Sequence, residues 1–159
     1  MKIMKAEYEK KLSLYEMADI MERMISMNST NVPVDYGTGC KYNPVEVHTI
    51  SYIADYPGIT ITQIAVEWNR TKGAVSQTVK KLEGMGLLYR EKKTGNDKKI
   101  CLYLTEKGKE LDEMHRQYDI RNYAGFLEKM YPYCSAEEIQ SAFRVMEIWI
   151  EQSKDWEPS

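Results

Sequence analysis

Thr60-Ile61-Thr62-Gln63-Ile64-Ala65-Val66-Glu67-Trp68-Asn69-Arg70-Thr71-Lys72-Gly73-Ala74-Val75-Ser76-Gln77 decides the reading of this chain, because it contains two helix starts separated by a turn. Thr60 with Gln63 three residues later forms a capping-box pattern, and a short helix to about Trp68 follows. Asn69 suits a left-handed backbone, so Asn69-Arg70 reads as the turn, and Thr71 caps the next helix, to about residues 84–86. At 100° per residue, Val75, Val79 and Leu82 share a narrow sector that must face a core. Gly73, Gln77, Lys80 and Lys81 lie opposite, with Ser76 at the edge. A short helix, a tight turn and a second helix with one polar face spell a helix-turn-helix.

The flanking sequence completes the unit. Upstream, Asn43-Pro44-Val45-Glu46 combines a cap, a proline at the first helical position and a capping-box acid; that helix runs to Tyr56 and stops at Pro57-Gly58. Downstream, residues 87–90 and 100–104 read as two strands, with a turn cluster over 93–97 between them. Thr105 caps a long helix to about Met130, and Ser135 with Glu138 opens a last one to about Gln152. At the N-terminus, residues 5–27 carry apolar side chains at helical spacing, among them Tyr8, Leu12, Tyr15, Ile20 and Met24, and residues 28–40 read as a loop. The predicted fold is mainly α (α+β): a winged helix-turn-helix with a β-hairpin wing and flanking helices that form a dimerisation domain. Residues 1–42 supply the N-terminal dimerisation helix and loop, 43–105 the winged region, and 106–159 the C-terminal dimerisation helices, in one intertwined domain.

Composition narrows the function classes. With 43% hydrophobic and 29% charged residues in 159, the chain reads as a globular domain, and no apolar run is long enough to span a bilayer. Residues 1–11 are charged and carry no signal-peptide core, so the expected compartment is the cytoplasm. Cys40, Cys101 and Cys134 are odd in number and widely spaced, against a disulfide framework. Only two histidines exist, and there is no Gly-rich phosphate loop or nucleophile elbow, so an enzyme is not expected. The net charge of −2 is unevenly distributed: residues 70–99 hold nine Lys and Arg against three acids, net +6, which leaves −8 elsewhere. A basic segment in an acidic body marks a localised polyanion-binding face.

The polar face of the second helix fits a DNA major groove. Gln77 can bridge the N6 and N7 of adenine, Ser76 can donate or accept, and Gly73 allows close backbone approach. The Thr71 cap directs free N–H groups of the helix start towards a phosphate. The DNA-contact candidates are Thr71, Lys72, Gly73, Ser76, Gln77, Lys80 and Lys81 on this helix, with Lys92, Lys93, Asn96, Lys98 and Lys99 on the wing. Ile64-Ala65, Thr71-Lys72-Gly73-Ala74-Val75-Ser76-Gln77, Lys81-Leu82-Glu83 and Gly86-Leu87-Leu88 resemble the helix-turn-helix of the MarR family of transcriptional regulators. Leu102-Tyr103-Leu104-Thr105-Glu106-Lys107-Gly108 is similar to that family's wing-to-helix junction, and Glu46-Val47-His48-Thr49-Ile50 to the entry of one branch. The match is specific over residues 43–108 and topological outside them. It implies a homodimer that places two reading helices in successive major grooves of a pseudo-palindromic operator, more often as a repressor, controlled by a small molecule or ion. Two positions depart from the family. Lys98, or Lys99 with a one-residue slip, stands where the wing often carries an Arg for the minor groove, and Trp68 replaces a smaller aliphatic residue as a core variant.

The family's usual ligand pocket lies between dimerisation helices and DNA-binding region, and the resemblance implies Tyr15, His48, Tyr52, His115 and Tyr118 as lining candidates, with Tyr123 close by in sequence. His115 and Asp119 stand at i, i+4, a spacing at which two ligands can meet one ion, and His48 with Cys40 extends that set. In the zinc-sensing branch of the family the corresponding elements supply metal ligands. The ordinary alternative is a pair of hydrogen-bonded histidines beside an interhelical cleft. No cofactor is required; an organic effector or a divalent metal is the expected ligand class. The rival functional reading is a winged-helix module that binds protein without reading DNA, and the basic character of residues 70–99 argues against it. The apolar stripe of residues 5–27, with Ile139, Phe143, Met146, Trp149 and Ile150, exceeds what one winged-helix core can bury and points to a homodimer.

Overall fold

The computed structural model describes residues 11–28, 32–93 and 96–153; of residues 22, 25–28, 93 and 96–98 only the backbone is described. Residues 1–32 and 33–159 form two compact units, taken here one at a time. In the first, helix α1 spans Leu14–Asn28. It starts later than the apolar spacing predicts, because Ser13 caps it. The Ser13 N–H and hydroxyl both donate to Glu16 Oε2 (2.9 and 2.7 Å), and the Glu16 N–H returns a bond to Ser13 Oγ at 3.3 Å. Lys11 and Leu12 precede that cap and are not helical. The expected helical stretch over residues 5–10, Tyr8 included, lies outside the described residues.

The second unit runs β1 (Val34–Asp35), β2 (Lys41–Tyr42), α2 (Pro44–Asp55), α3 (Ile61–Glu67), α4 (Lys72–Gly84), β3 (Leu88–Lys93), β4 (Asn96–Leu104), α5 (Glu106–Met130) and α6 (Ala136–Ser153). The helix starts are those the sequence predicts, each fixed by a side chain that satisfies an orphan amide. Asn43 Oδ1 accepts the Glu46 N–H at 2.9 Å, Thr71 Oγ1 that of Ala74 at 3.2 Å, and Thr105 Oγ1 that of Gly108 at 3.2 Å. Asn69 has φ 47°, the left-handed turn between α3 and α4, closed by the Arg70 N–H on the Ala65 carbonyl at 2.8 Å. Val47, Ile50 and Ile53 of α2 pack with Ile64 of α3, Val75, Val79 and Leu82 of α4, and Leu88 and Leu102 of the hairpin in one buried cluster.

Three features are absent from the sequence reading. The expected loop over 28–40 carries strand β1, which pairs with β2 in a short antiparallel hairpin, Val34 opposite Tyr42. Asp35 Oδ1 draws its turn together by accepting the N–H groups of Gly37, Thr38 and Gly39 at 2.8, 2.9 and 3.1 Å. Ile59 adds a third rung to the wing: the Gly58 N–H donates to the Leu102 carbonyl and the Leu102 N–H to the Ile59 carbonyl, both at 2.9 Å. The wing strands also run further than predicted, taking in Lys93 and Asn96 from the supposed turn, with pairs from Leu88↔Leu104 to Lys93↔Asn96. Beyond Lys92 the sequence is polar on both faces, so no two-residue period marks those strand residues.

The wing leads into α5 through a crowded junction. Gly86 takes φ +71°, and its carbonyl accepts the Thr105 hydroxyl at 2.7 Å. The Leu87 carbonyl accepts the Thr105 N–H at 3.1 Å. Gly108, one turn into α5, approaches so closely that a Cβ there would sit 2.0 Å from the Leu87 oxygen. Arg116 then ties α5 to the end of α2, donating from Nε to Asp112 Oδ2 at 2.9 Å and from Nη2 to Asp55 Oδ1 at 2.7 Å. Further on α5 leaves the core: Ile120, Tyr123 and Phe126 are exposed, and α6 has no buried residue.

Gly108→Ala should therefore lower stability by at least the ~1–3 kcal/mol of an overpacked core site, since backbone rather than a flexible side chain must move. Thermal and urea unfolding of both proteins measure it; a change below about 0.5 kcal/mol would show that the junction has room.

Candidate nucleic-acid interface

Helix α4 presents two faces with different chemistry. Val75, Val79 and Leu82 are buried, whereas Lys72, Gly73, Gln77 and Lys80 are exposed and Ser76 is half-buried, as the wheel predicts. Thr71, exposed, caps the start of the helix. Lys81 has a different environment from its neighbours: its Nζ forms an ion pair with Oε1 of Glu46 on α2. Glu46 is 4% exposed and also closes the α2 capping box, its Oε2 accepting the Asn43 N–H at 3.1 Å. The sequence identified Glu46 as a capping residue and missed its second partner, because a contact across 35 residues leaves no local signal.

The wing is fastened to α4 by a second ion pair, Arg90 Nε to Glu83 Oε2 at 3.0 Å. Lys92 is exposed and Lys99 half-buried. The side chains of Lys93, Asn96 and Lys98 lie outside the described residues. Between the first turn of α3 and the inner face of the wing an open cleft of about 530 Å³ is lined by Thr60, Thr62, Gln63, Arg90, Lys99 and Ile100, among others. Cations and hydrogen-bonding side chains thus extend from α4 across the cleft to the wing.

Within the second unit, the expected ligand residues divide into two groups. Tyr15 is exposed in the first unit. Tyr52 points to the α3 side of α2, with its ring 4.8 Å from Tyr56 and 5.3 Å from Trp68. Trp68 is a half-buried packing residue against the core, in line with its reading as a core variant. His48, His115 and Tyr118 gather around a residue the sequence reading missed. Tyr36 is buried and meets His115 edge-on at 5.1 Å and Tyr118 at 5.0 Å; His48 lies 5.1 Å from His115. Val34-Asp35-Tyr36 alternates as a strand does, the one signal that could have placed Tyr36. Tyr123 sits further along α5 beside Phe143, at 6.2 Å.

The metal set is corrected in the same way. Among the described residues no group of three His, Cys, Asp or Glu side chains is placed to hold an ion. Both nitrogens of His115 are occupied, Nδ1 by the Ser51 hydroxyl at 3.0 Å and Nε2 by Asp119 Oδ2 at 3.1 Å. Cys40 is exposed at the β1–β2 turn, where its N–H donates to Thr38 Oγ1. Cys40, His48, His115 and Asp119 are thus not drawn together into one cluster in this structure. His115 is 4% exposed, and burial holds its imidazole below the ordinary value of 6.5; Asp119 and Asp112 oppose that shift, while His48 and Arg116 reinforce it.

A winged helix-turn-helix with a free polar helix face and a basic wing defines a DNA-binding regulator of transcription, and comparison with known proteins gives the same class. Residues 42–100 match the model of the MarR family. The chain is 30% identical over 140 residues to the HTH-type transcriptional regulator YhjH of Bacillus subtilis strain 168, covering 88% of this chain and 78% of that one. Its fold is similar to that of Streptococcus pneumoniae FabT in a complex with DNA (TM-score 0.63, 24% identity, 87% of this chain and 93% of that one). It is also similar to the zinc-responsive ZitR of Lactococcus lactis (TM-score 0.62, 16% identity, 87% and 96%). The chain belongs to the MarR family. It is a transcriptional regulator and not an enzyme. Among the described residues no helix is long and apolar enough to cross a membrane.

A buried histidine held below its ordinary pKa stabilises the fold fully above about pH 6.5, where folded and unfolded imidazole are both neutral. That contribution is lost as pH falls below the unfolded value towards the folded one, because the unfolded chain takes up the proton first. Urea midpoints of the wild type should thus decline as pH falls below about 6.5, and His115→Gln should flatten the decline. Parallel pH profiles of the two proteins would contradict the assignment.

Proposed function

We propose that the protein is a homodimeric repressor that binds double-stranded DNA sequence-specifically at a pseudo-palindromic operator in the cytoplasm. The observation that carries this reading is α4 itself: buried on Val75, Val79 and Leu82, it leaves Gly73, Gln77 and Lys80 exposed, beside a wing that Arg90 and Glu83 hold to the same helix. Gln77, with Ser76 at the edge, reads base edges, while Thr71, Lys72 and Lys80 meet the flanking phosphates. Lys92 and Lys99, with Lys93, Asn96 and Lys98 further along the wing, reach the backbone or the minor groove. Dimerisation is supported by apolar side chains on the outer part of α5 and on α6, where Ile120, Phe126, Val145, Ile148 and Trp149 are exposed. Pairing through them spans two half-sites. A small-molecule effector acting at Tyr36, His48, His115 and Tyr118 would act where α2 meets α5, the contact that orients the DNA-binding unit on the dimerising helices. The occupied nitrogens of His115 favour an organic ligand there over a divalent metal.

Titration of variants on specific and scrambled duplexes tests the division of labour. Gln77→Ala should cost on the order of 1–3 kcal/mol on the preferred sequence and little on the scrambled one. Lys92→Ala should weaken both duplexes alike and flatten the salt dependence by about 0.9 in log–log slope. If Gln77→Ala weakens both duplexes equally, α4 does not read bases through that residue. If neither variant alters binding, the interface is elsewhere.

A further inference from the structure

Glu46 occupies a position that neither helix capping nor DNA contact explains by itself. It is an almost fully buried carboxylate whose oxygens face two elements: the start of α2, through the Asn43 N–H at 3.1 Å and the Asn43 side-chain amide at 3.0 Å, and the last turn of α4, through Lys81. A carboxylate buried to this degree must be compensated by hydrogen bonds and a counter-charge. Lys81 supplies that charge from a side chain still 58% exposed, on the same polar side of α4 as Gln77 and Lys80. Without Glu46, Lys81 would be one more free cation on the reading helix. With it, the charge is committed inward.

We propose that Glu46 is a positioning residue that withholds Lys81 from the DNA backbone while holding α4 to α2. This rests on the DNA-binding reading given above and adds to it a partition among the lysines of α4, Lys72 and Lys80 being spent on phosphates and Lys81 on the protein. Phosphate contacts add affinity for any sequence, whereas base contacts add it for one. Withholding one phosphate contact therefore lowers binding to specific and random DNA alike and makes both less steeply dependent on salt, without touching the readout of Gln77. The same ion pair fixes the end of α4 against α2, so that the reading face keeps one orientation.

The test uses the full chain with a duplex selected for binding and a scrambled one, titrated from about 200 to about 50 mM salt. Glu46→Gln keeps the capping geometry, since Gln serves a capping box as Glu does, and removes the charge. It should steepen the log–log salt slope by about 0.9 on both duplexes, equivalent to about threefold extra gain in affinity across that range. Lys81→Met should leave the slope unchanged, and combining it with Glu46→Gln should restore the wild-type slope. The proposal is overturned if Lys81→Met alone lowers the slope by about 0.9, since Lys81 would then already lie on a phosphate, or if Glu46→Gln leaves the slope as it was. Lys80→Ala is the control for the underlying reading and should lower the slope by about 0.9. Failure of the wild type to bind any duplex, or of that control to move, counts against DNA binding itself. In that event the Glu46–Lys81 pair is judged by a double-mutant cycle in urea: non-additive midpoints are expected, and additive ones remove the pair. Should Glu46→Gln fail to fold, the slopes of Lys81→Met and the wild type still decide the question.

Discussion

The carbonyl oxygens of Gly86 and Leu87 are the point on which the DNA-binding half of this regulator depends. They lie just after α4, at the base of the wing, and both are bonded by Thr105, the residue that ends β4 and caps α5. Gly108 then brings the first turn of α5 so near the Leu87 oxygen that no side chain fits between them. Recognition helix, wing and the helix that leads away from them are thus joined within a few ångströms of backbone. Because this contact is made by carbonyls and a glycine, it has little freedom to repack, and a displacement of α5 must be passed to the base of the wing. Arg116 extends the same connection, joining α5 to Asp55 at the end of α2. A regulator that couples its outer helices to its DNA-reading surface needs a stiff joint of this kind.

Charge is organised around that frame in layers. Glu83 and Arg90 neutralise each other at the base of the wing, and Glu46 takes Lys81, so two of the nine cations in residues 70–99 hold the interface together. Of the remainder whose side chains are described, Arg70, Lys72, Lys80 and Lys92 are exposed and Lys99 is half-buried. Internal pairs set the orientation of the elements, and the outward cations meet a polyanion through long-range attraction.

How much was legible in the sequence follows from the range of each interaction. Most features fixed within four residues could be read: the capping boxes at Asn43 and Thr60, the left-handed Asn69, the Thr71 and Thr105 caps, and the 3.6-residue period of Val75, Val79 and Leu82. Features that depend on distant partners could not. Ile59 becomes part of the wing only through Leu102, and Tyr36 becomes a core residue only through His115 and Tyr118. The start of α1 was placed too early because apolar spacing continues through Leu12, whereas the Ser13–Glu16 capping box decides the boundary. In the candidate metal set, Asp119 Oδ2 lies 3.1 Å from His115 Nε2 and the Ser51 hydroxyl 3.0 Å from Nδ1. Spacing alone reveals the first of these neighbours and not the second.

The central claim is that α4 and the wing, held in one orientation by the Thr105–Gly108 junction, read a defined DNA sequence. Repeated selection of duplexes bound by the full chain from a random-sequence pool tests it most directly. The account predicts enrichment of one short motif repeated in inverted orientation, its half-sites about one helical turn apart. A pool that remains random after selection, while still being retained by the protein at low salt, would show a backbone-binding surface without base readout and would contradict it.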